Sequence, residues 1–397
     1  MSSIASGAPA QDFSLVLGGP LYQLFRRSRL AGDALELARR RLLTITAIAW
    51  LPLLVLSAIE GRAWSATDAV PFLRDVEANV RFLLALPLLV VAELIVHQRM
   101  RPVIGQFVGR HLIPADGREQ FDRAVASAYA MRNSVAAEIL LIVLVYGAGI
   151  MLLWRNYVAL PTDTWYAVRG GGDAALTMTG RWYVYVSVPL FQFLLLRWYY
   201  RMFIWGRFLW QVSRIPLRLV PTHPDRVGGL GFLSGIVYAF APLAAAHGAL
   251  LAGLIGNRIF YAGASLTDFK IEIVLLLAFL AVVIFGPFLV FSPQLALAKR
   301  TGLAEYGRFA ERYVREFDTK WLRGGAPPGE ALVGSGDIQS LADLGNSFDV
   351  IKEMRFAPIS RDALIRLALT TLAPLSPLGL TMMSLEELLR KLFGMLF

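Results

Sequence analysis

The chain has 397 residues, of which 56% are apolar and 17% charged, a balance shifted away from water and toward a bilayer solvent. Its net charge of +10 is nearly all arginine. That charge is parcelled out between apolar runs rather than gathered on one soluble face, which argues against nucleic acid as a partner. With no cysteine, disulfides, thiolate metal sites and cysteine nucleophiles are excluded.

Residues 1–41 form an amino-terminal arm. Its first 18 residues are small and polar, without a period. From Leu21 to Arg41 the apolar positions Leu21, Leu24, Phe25, Leu30, Ala34 and Leu37 fall partly at helical spacing among arginines. That pattern suits a short interfacial helix on the cytoplasmic leaflet or a solvated basic arm. No signal-peptide apolar region precedes it, so the first span is expected to act as an uncleaved signal-anchor.

Residues 42–297 read as six membrane spans, with apolar runs at 42–59, 79–97, 135–154, 182–203, 230–256 and 271–296, set against the roughly 20 residues a bilayer requires. The alternate connections 1–41, 98–134, 197–229 and 297–362 hold 28 Lys and Arg, and the intervening ones hold 8. The positive-inside bias therefore predicts a cytoplasmic amino terminus. Trp64, Trp154, Trp165 and Trp182 lie in or beside the outer connections, where an aromatic belt is expected. Asp116 with Glu119 resembles a capping box, starting a helix through Phe121, Val125, Ala128 and Arg132 directly into the third run. The fourth run continues through Arg197, Trp198 and Arg201 toward Arg214 as a basic, aromatic interfacial helix.

Residues 298–362 are expected to be cytoplasmic. Leu303, Tyr306, Ala310, Tyr313, Phe317 and Trp321 form an apolar helical stripe whose face needs the chain's own loops or a homo-oligomer. A second short helix covers roughly 338–354. Residues 363–397 are long enough to span, with Pro374 and Pro377 in the middle. A seventh span kinked at the prolines is expected, the alternative being a broken, re-entrant pair.

Ionisable groups inside spans are functional candidates by default. By depth alone Glu93, His97, Glu138, Arg197, His223, Asp225, Arg226 and Gln294 fall at one level and predict a polar vestibule opening to the cytoplasm. Gln192 and His247 lie deeper. The bland reading pairs Glu93 or Glu138 with an arginine at the helix ends. A conduction reading makes Glu93, Glu138, Arg197, Gln192, His247 and Gln294 the lining of a cavity. A catalytic reading uses Glu93, one helical turn before His97, with His223 and Asp225 as ligands of a divalent metal. No cofactor is otherwise predicted.

The segment Pro221 to Gly231 (PTHPDRVGGLG) runs into the fifth span. Unpaired backbone N–H groups at Gly228, Gly229 and Gly231, with Arg226 and Arg218, suit an anion such as a lipid headgroup. The bland reading is a tight turn. At this motif and at Ser384 to Leu392 (SLEELLRKL) the chain resembles a group of uncharacterised bacterial multi-pass inner-membrane proteins. The resemblance covers roughly the second half, implies a bacterial inner membrane and carries no activity.

The sequence therefore predicts an all-α, polytopic helix bundle whose partners are the bilayer, anionic headgroups and further copies of itself. A channel or transporter for a small solute or ion leads. A membrane-embedded enzyme acting on a lipid or phosphorylated substrate, and a scaffold binding a protein partner, are the alternatives.

Overall fold

The computed structural model describes residues 14–16, 18–20, 22–23, 38–64, 70–149, 164–169 and 174–382. Most of the basic arm, Trp154 and the segment after Met382 lie outside the described residues. The fold is mostly helical: α1 (Ala38–Ile59), α2 (Val76–Gly109), α3 (Ala115–Arg132), α4 (Val135–Gly149), α5 (178–212), α6 (Phe232–Ala262), α7 (Leu266–Leu322), α8 (Gly336–Lys352) and α9 (Arg361–Thr381). A short antiparallel hairpin, β1 (Ala167–Arg169) with β2 (Ala174–Leu176), precedes α5 and pairs Val168 with Ala175.

Five of these helices, α1, α2, α6, α7 and α9, are long and apolar enough to cross a membrane. The α3–α4 pair makes a sixth candidate, bent by 47°. The bend replaces the unbroken helix expected through Arg132. Ser134 leaves helical geometry and caps α4, its Oγ accepting from Ala137 N at 3.2 Å, so α4 starts afresh in a new direction.

The helix over the fourth apolar run stands apart from the five. Gln192, Arg197, Arg201 and its many Trp and Tyr residues dilute the hydropathy of α5. It buries Phe191, Leu194, Trp198, Trp205, Phe208 and Leu209 against its neighbours. Its residues are chosen for protein contact, and it packs on α3, α4, α2 and α7.

Proline shapes two helices in the same way. Pro87 and Pro189 each lack an N–H and crowd the preceding turn. The helix ahead of each widens to a π-turn, over Arg81–Ala85 and Tyr183–Ser187. The two widened turns face each other, where Arg81 Nη1 donates to Tyr183 Oη at 2.6 Å.

The predicted sixth span and the amphipathic helix after it are one element. At 57 residues, α7 is roughly 85 Å long, far more than the roughly 30 Å of a hydrocarbon core. Its distal part carries α8 antiparallel along it: Tyr313 Oη donates to Asp337 O at 3.1 Å, and Gly307 lies under the Phe348 ring. Lys320 Nζ reaches Asp337 at 2.8 Å and Glu330 at 2.5 Å. With the Trp321 indole N–H, that ammonium holds the Asp337 carboxyl below the usual carboxylate range.

The last described helix lies along α6 for nearly its whole length. Ser234 Oγ donates to Pro358 O at 2.7 Å just before α9 starts, and Leu378 near its end lies beside Gly256. Between them the two backbones touch: a Cβ on Gly248 would sit 1.9 Å from the Thr371 carbonyl oxygen. Gly248→Ala is therefore expected to push α9 off α6 and cost about 1–3 kcal/mol. The readout is a lowered melting midpoint in detergent. An unchanged midpoint would mean that α9 does not lie there.

Candidate functional site

Three helices and one helix start bring five charged side chains together inside the bundle. Arg41 comes from the first turns of α1, Glu93 from α2, Glu138 from the first turn of α4, and Arg197 and Arg201 from successive turns of α5. Glu93 sits at the centre. One carboxylate oxygen takes Arg41 Nη2 at 2.6 Å; the other takes Arg201 Nη2 at 2.7 Å and Arg197 Nη1 at 3.5 Å. The second guanidinium nitrogen of Arg197 reaches Glu138 Oε1 at 3.3 Å, while Arg201 also lies over the Trp198 ring at 4.7 Å. Arg41, Glu93, Arg197 and Arg201 are all buried. Such charges persist inside a protein only when they are paired and hydrogen-bonded. Among these five side chains, three guanidiniums meet two carboxylates.

The chain's own amino-terminal segment covers this cluster. Ser14 Oγ lies 2.9 Å from His97 Nδ1, and its carbonyl accepts from Arg132 Nη1 at 2.7 Å. Leu15 and Val16 are buried beneath. Gly19 N donates to Asn133 Oδ1 at 3.0 Å. Gly19 has a φ of 86°, and a Cβ there would stand 2.9 Å from Arg132 O and 3.3 Å from Glu138 Oε1. Only glycine lets the backbone pass this close in that conformation.

Beside the cluster runs a lateral groove of about 700 Å³ between α1, α4 and α5. Ile48, Ile142, Val145, Leu190, Phe193 and Leu194 make most of its wall, with Thr44, Glu138, Tyr146 and Tyr185 adding polar groups and Pro20 against it. Glu138 belongs to both features and joins the apolar groove to the arginines.

The remaining predicted residues are placed elsewhere. Asp225 turns its carboxylate into its own loop. Oδ1 accepts from Val227 N at 2.9 Å and Gly229 N at 3.1 Å, and Oδ2 accepts from Gly231 N at 2.7 Å. The N–H groups that suit a phosphate are thus occupied by an internal anion, and His223 Nδ1 stands 2.9 Å from the same carboxylate. Arg226, at φ 59°, pairs with Glu353 at 2.7 Å. Arg355 binds the turn from outside, its N donating to Arg226 O at 2.8 Å and its Nη2 to Asp225 O at 3.0 Å. The Gly228 backbone accepts from Val220 N, and Arg218 is exposed, its own N bonded to Leu112 O.

Gln294 ties α7 to the end of α5, donating to Ser213 O at 2.6 Å and Ile215 O at 2.8 Å. His247 Nδ1 donates to Leu243 O at 2.7 Å, which leaves Nε2 to accept from Tyr199 Oη at 2.5 Å. Gln192 Oε1 is buried without a hydrogen-bond partner among the described residues, close to Gly149. Among the described residues no three His, Asp or Glu side chains converge as metal ligands. Of the residues predicted at one level, then, Glu93, Glu138 and Arg197 share a site. His97 adjoins it through Ser14, and His223, Asp225, Arg226 and Gln294 serve loops and helix junctions.

Depth along a helix could not reveal Arg41, which reads as one more flanking charge in Arg39-Arg40-Arg41. Arg201, one turn after Arg197, was legible in principle. A second polar centre lies at the other end of α2, around Asp75. Its Oδ1 caps α2 at Ala78 N (2.9 Å) and takes Asn257 Nδ2 at 2.9 Å, while Oδ2 takes Trp165 Nε1 at 2.8 Å. Trp165, expected in an aromatic belt, is fully buried there against Phe72 and Tyr183. No family model, curated protein or solved structure significantly matches the chain, so the site rests on this chain's own residues.

Proposed function

We propose that this multi-pass integral membrane protein, with its amino terminus on the cytoplasmic side of a bacterial inner membrane, transports an acidic amphiphile that it takes up sideways from the bilayer. One observation carries the reading: a lateral apolar groove ends at Glu138, whose carboxylate meets the buried Arg197. The hydrocarbon chain would lie along Ile142, Leu190 and Phe193. Its carboxylate or phosphate would replace Glu138 on Arg197, an exchange of one charge-assisted pair for another. Ser14, Leu15, Val16 and Gly19 cover the site, and Pro20 reaches the groove. Glu93 keeps the arginines in place when no ligand is present.

The test uses liposomes containing the purified protein and a trace of fluorescently labelled phosphatidic acid or, as control, labelled phosphatidylcholine. Movement between leaflets is read by a membrane-impermeant quencher. The expected result is faster movement of the acidic lipid than in empty liposomes. Arg197→Gln should slow it about tenfold, the worth of one charge-assisted hydrogen bond. Ile142→Trp, which fills the groove from its exposed rim, should do the same without touching the cluster. Equal rates for both lipids, or no effect of either exchange, would contradict the proposal. The long projection of α7 with α8 laid along it favours a second role, docking of a cytoplasmic partner.

A further inference from the structure

A second groove, of about 830 Å³, lies on another face of α5, between it and α7. Tyr199, Phe203 and Trp210 form one wall, Phe279 and Val282 the other. At its floor Gly206 meets Pro287, with 3.5 Å between a Cβ on that glycine and the proline ring. Gly286 leaves open space beside it. Phe203, Trp210, Phe279 and Val282 are exposed, so the groove opens sideways, on faces that a bilayer would cover.

Arg207 stands at one end. Among the described residues no carboxylate pairs with it, and its Nη1 contact is Met131 Sδ at 3.1 Å, a weak acceptor that neutralises no charge. Two turns further, just past the end of α5, Arg214 lies over the Trp210 ring at 5.0 Å. The depth of this end follows from α7. Phe279, whose ring is 5.9 Å from that of Tyr199, comes eight residues after the sixth apolar run begins at residue 271, so Tyr199 lies roughly 12 Å into the bilayer. Arg207 is two turns further along α5, roughly 12 Å deeper, close enough to the far side of the roughly 30 Å core for its long side chain to reach the opposite headgroups. Tyr199 stays within the hydrocarbon.

The geometry points to a resident anionic phospholipid in this groove, its phosphate on Arg207 and one acyl chain running up to Tyr199. A neutral lipid would fill the apolar part equally well and leave the arginine without a counter-charge. Free phosphate would make no use of the glycine floor. The inference requires only that the chain crosses a bilayer. It does not depend on transport through the α1–α4–α5 groove, which other residues line.

Brominated phosphatidylglycerol and brominated phosphatidylcholine, added to the purified protein in mixed micelles, quench tryptophans within contact range. The difference between the wild type and Trp210→Phe isolates the signal of this groove. The expected result is stronger quenching by phosphatidylglycerol, with a preference of roughly fivefold, as one basic residue at an anionic surface gives. Arg207→Gln should abolish the preference, and Gly286→Leu should weaken quenching by both lipids. Equal quenching by the two lipids in the wild type would overturn the assignment. So would a preference that survives Arg207→Gln, or quenching unchanged in Gly286→Leu.

Discussion

Glu93→Gln is expected to lower the stability of the folded protein by about 3–5 kcal/mol, the cost of breaking a buried ion pair from one side. The exchange keeps shape and volume and removes only charge. It leaves Arg41, Arg197 and Arg201, now paired at 2.6, 3.5 and 2.7 Å, without the carboxylate they share. The amide that replaces the carboxylate also turns a donor toward one of the guanidiniums. The measurement is the unfolding midpoint in a mild detergent, compared with Glu138→Gln, whose carboxylate meets Arg197 at 3.3 Å. The Glu93 variant should lose clearly more. A loss within about 0.5 kcal/mol, the range of an ordinary surface change, would mean that Glu93 is not at the centre of the cluster.

Asp225→Ala is the second large effect, expected at about 2–4 kcal/mol. The carboxylate accepts three backbone N–H groups, those of Val227, Gly229 and Gly231. Bonds to a charged acceptor are each worth about 1.5–3 kcal/mol, and partial rehydration of this half-exposed turn offsets some of the sum. The damage should spread, because Arg355 grips the carbonyls of Asp225 and Arg226 and thereby anchors the start of α9. Limited proteolysis should show new cleavage between 353 and 360 in the variant. Asp225→Asn keeps one oxygen acceptor and should lose about half as much. An Asp225→Ala variant with wild-type stability and no new cleavage would mean that the turn is held by something else.

How much of this was legible in the sequence depends on the dimension asked about. Position along the membrane normal follows from hydropathy and from counting residues at a fixed rise. It grouped Glu93, Glu138 and Arg197 before any contact was known. Position around the bundle axis has no comparable sequence signal. His223 and Asp225 therefore read as neighbours of Glu93, although their contacts lie within their own turn. Arg41 read as a flanking charge, although its side chain points inward to Glu93. The PTHPDRVGGLG segment shows both the strength and the limit of motif reading: its nest of N–H groups is present, but an aspartate two residues ahead of the first donor fills it. The same holds for α5, where Arg197 and Arg201 lower the hydropathy of the helix that the charge cluster needs most.

The most direct measurement of the central claim is a double-mutant cycle between Glu93 and Arg201 on unfolding stability in detergent, using Glu93→Gln, Arg201→Gln and the pair. A buried carboxylate shared among arginines predicts strong coupling, about 2 kcal/mol or more, with the double variant far less damaged than the sum of the singles. Additive losses, with coupling under about 0.5 kcal/mol, would show that the two side chains do not meet and would remove the cluster on which the proposed transport rests.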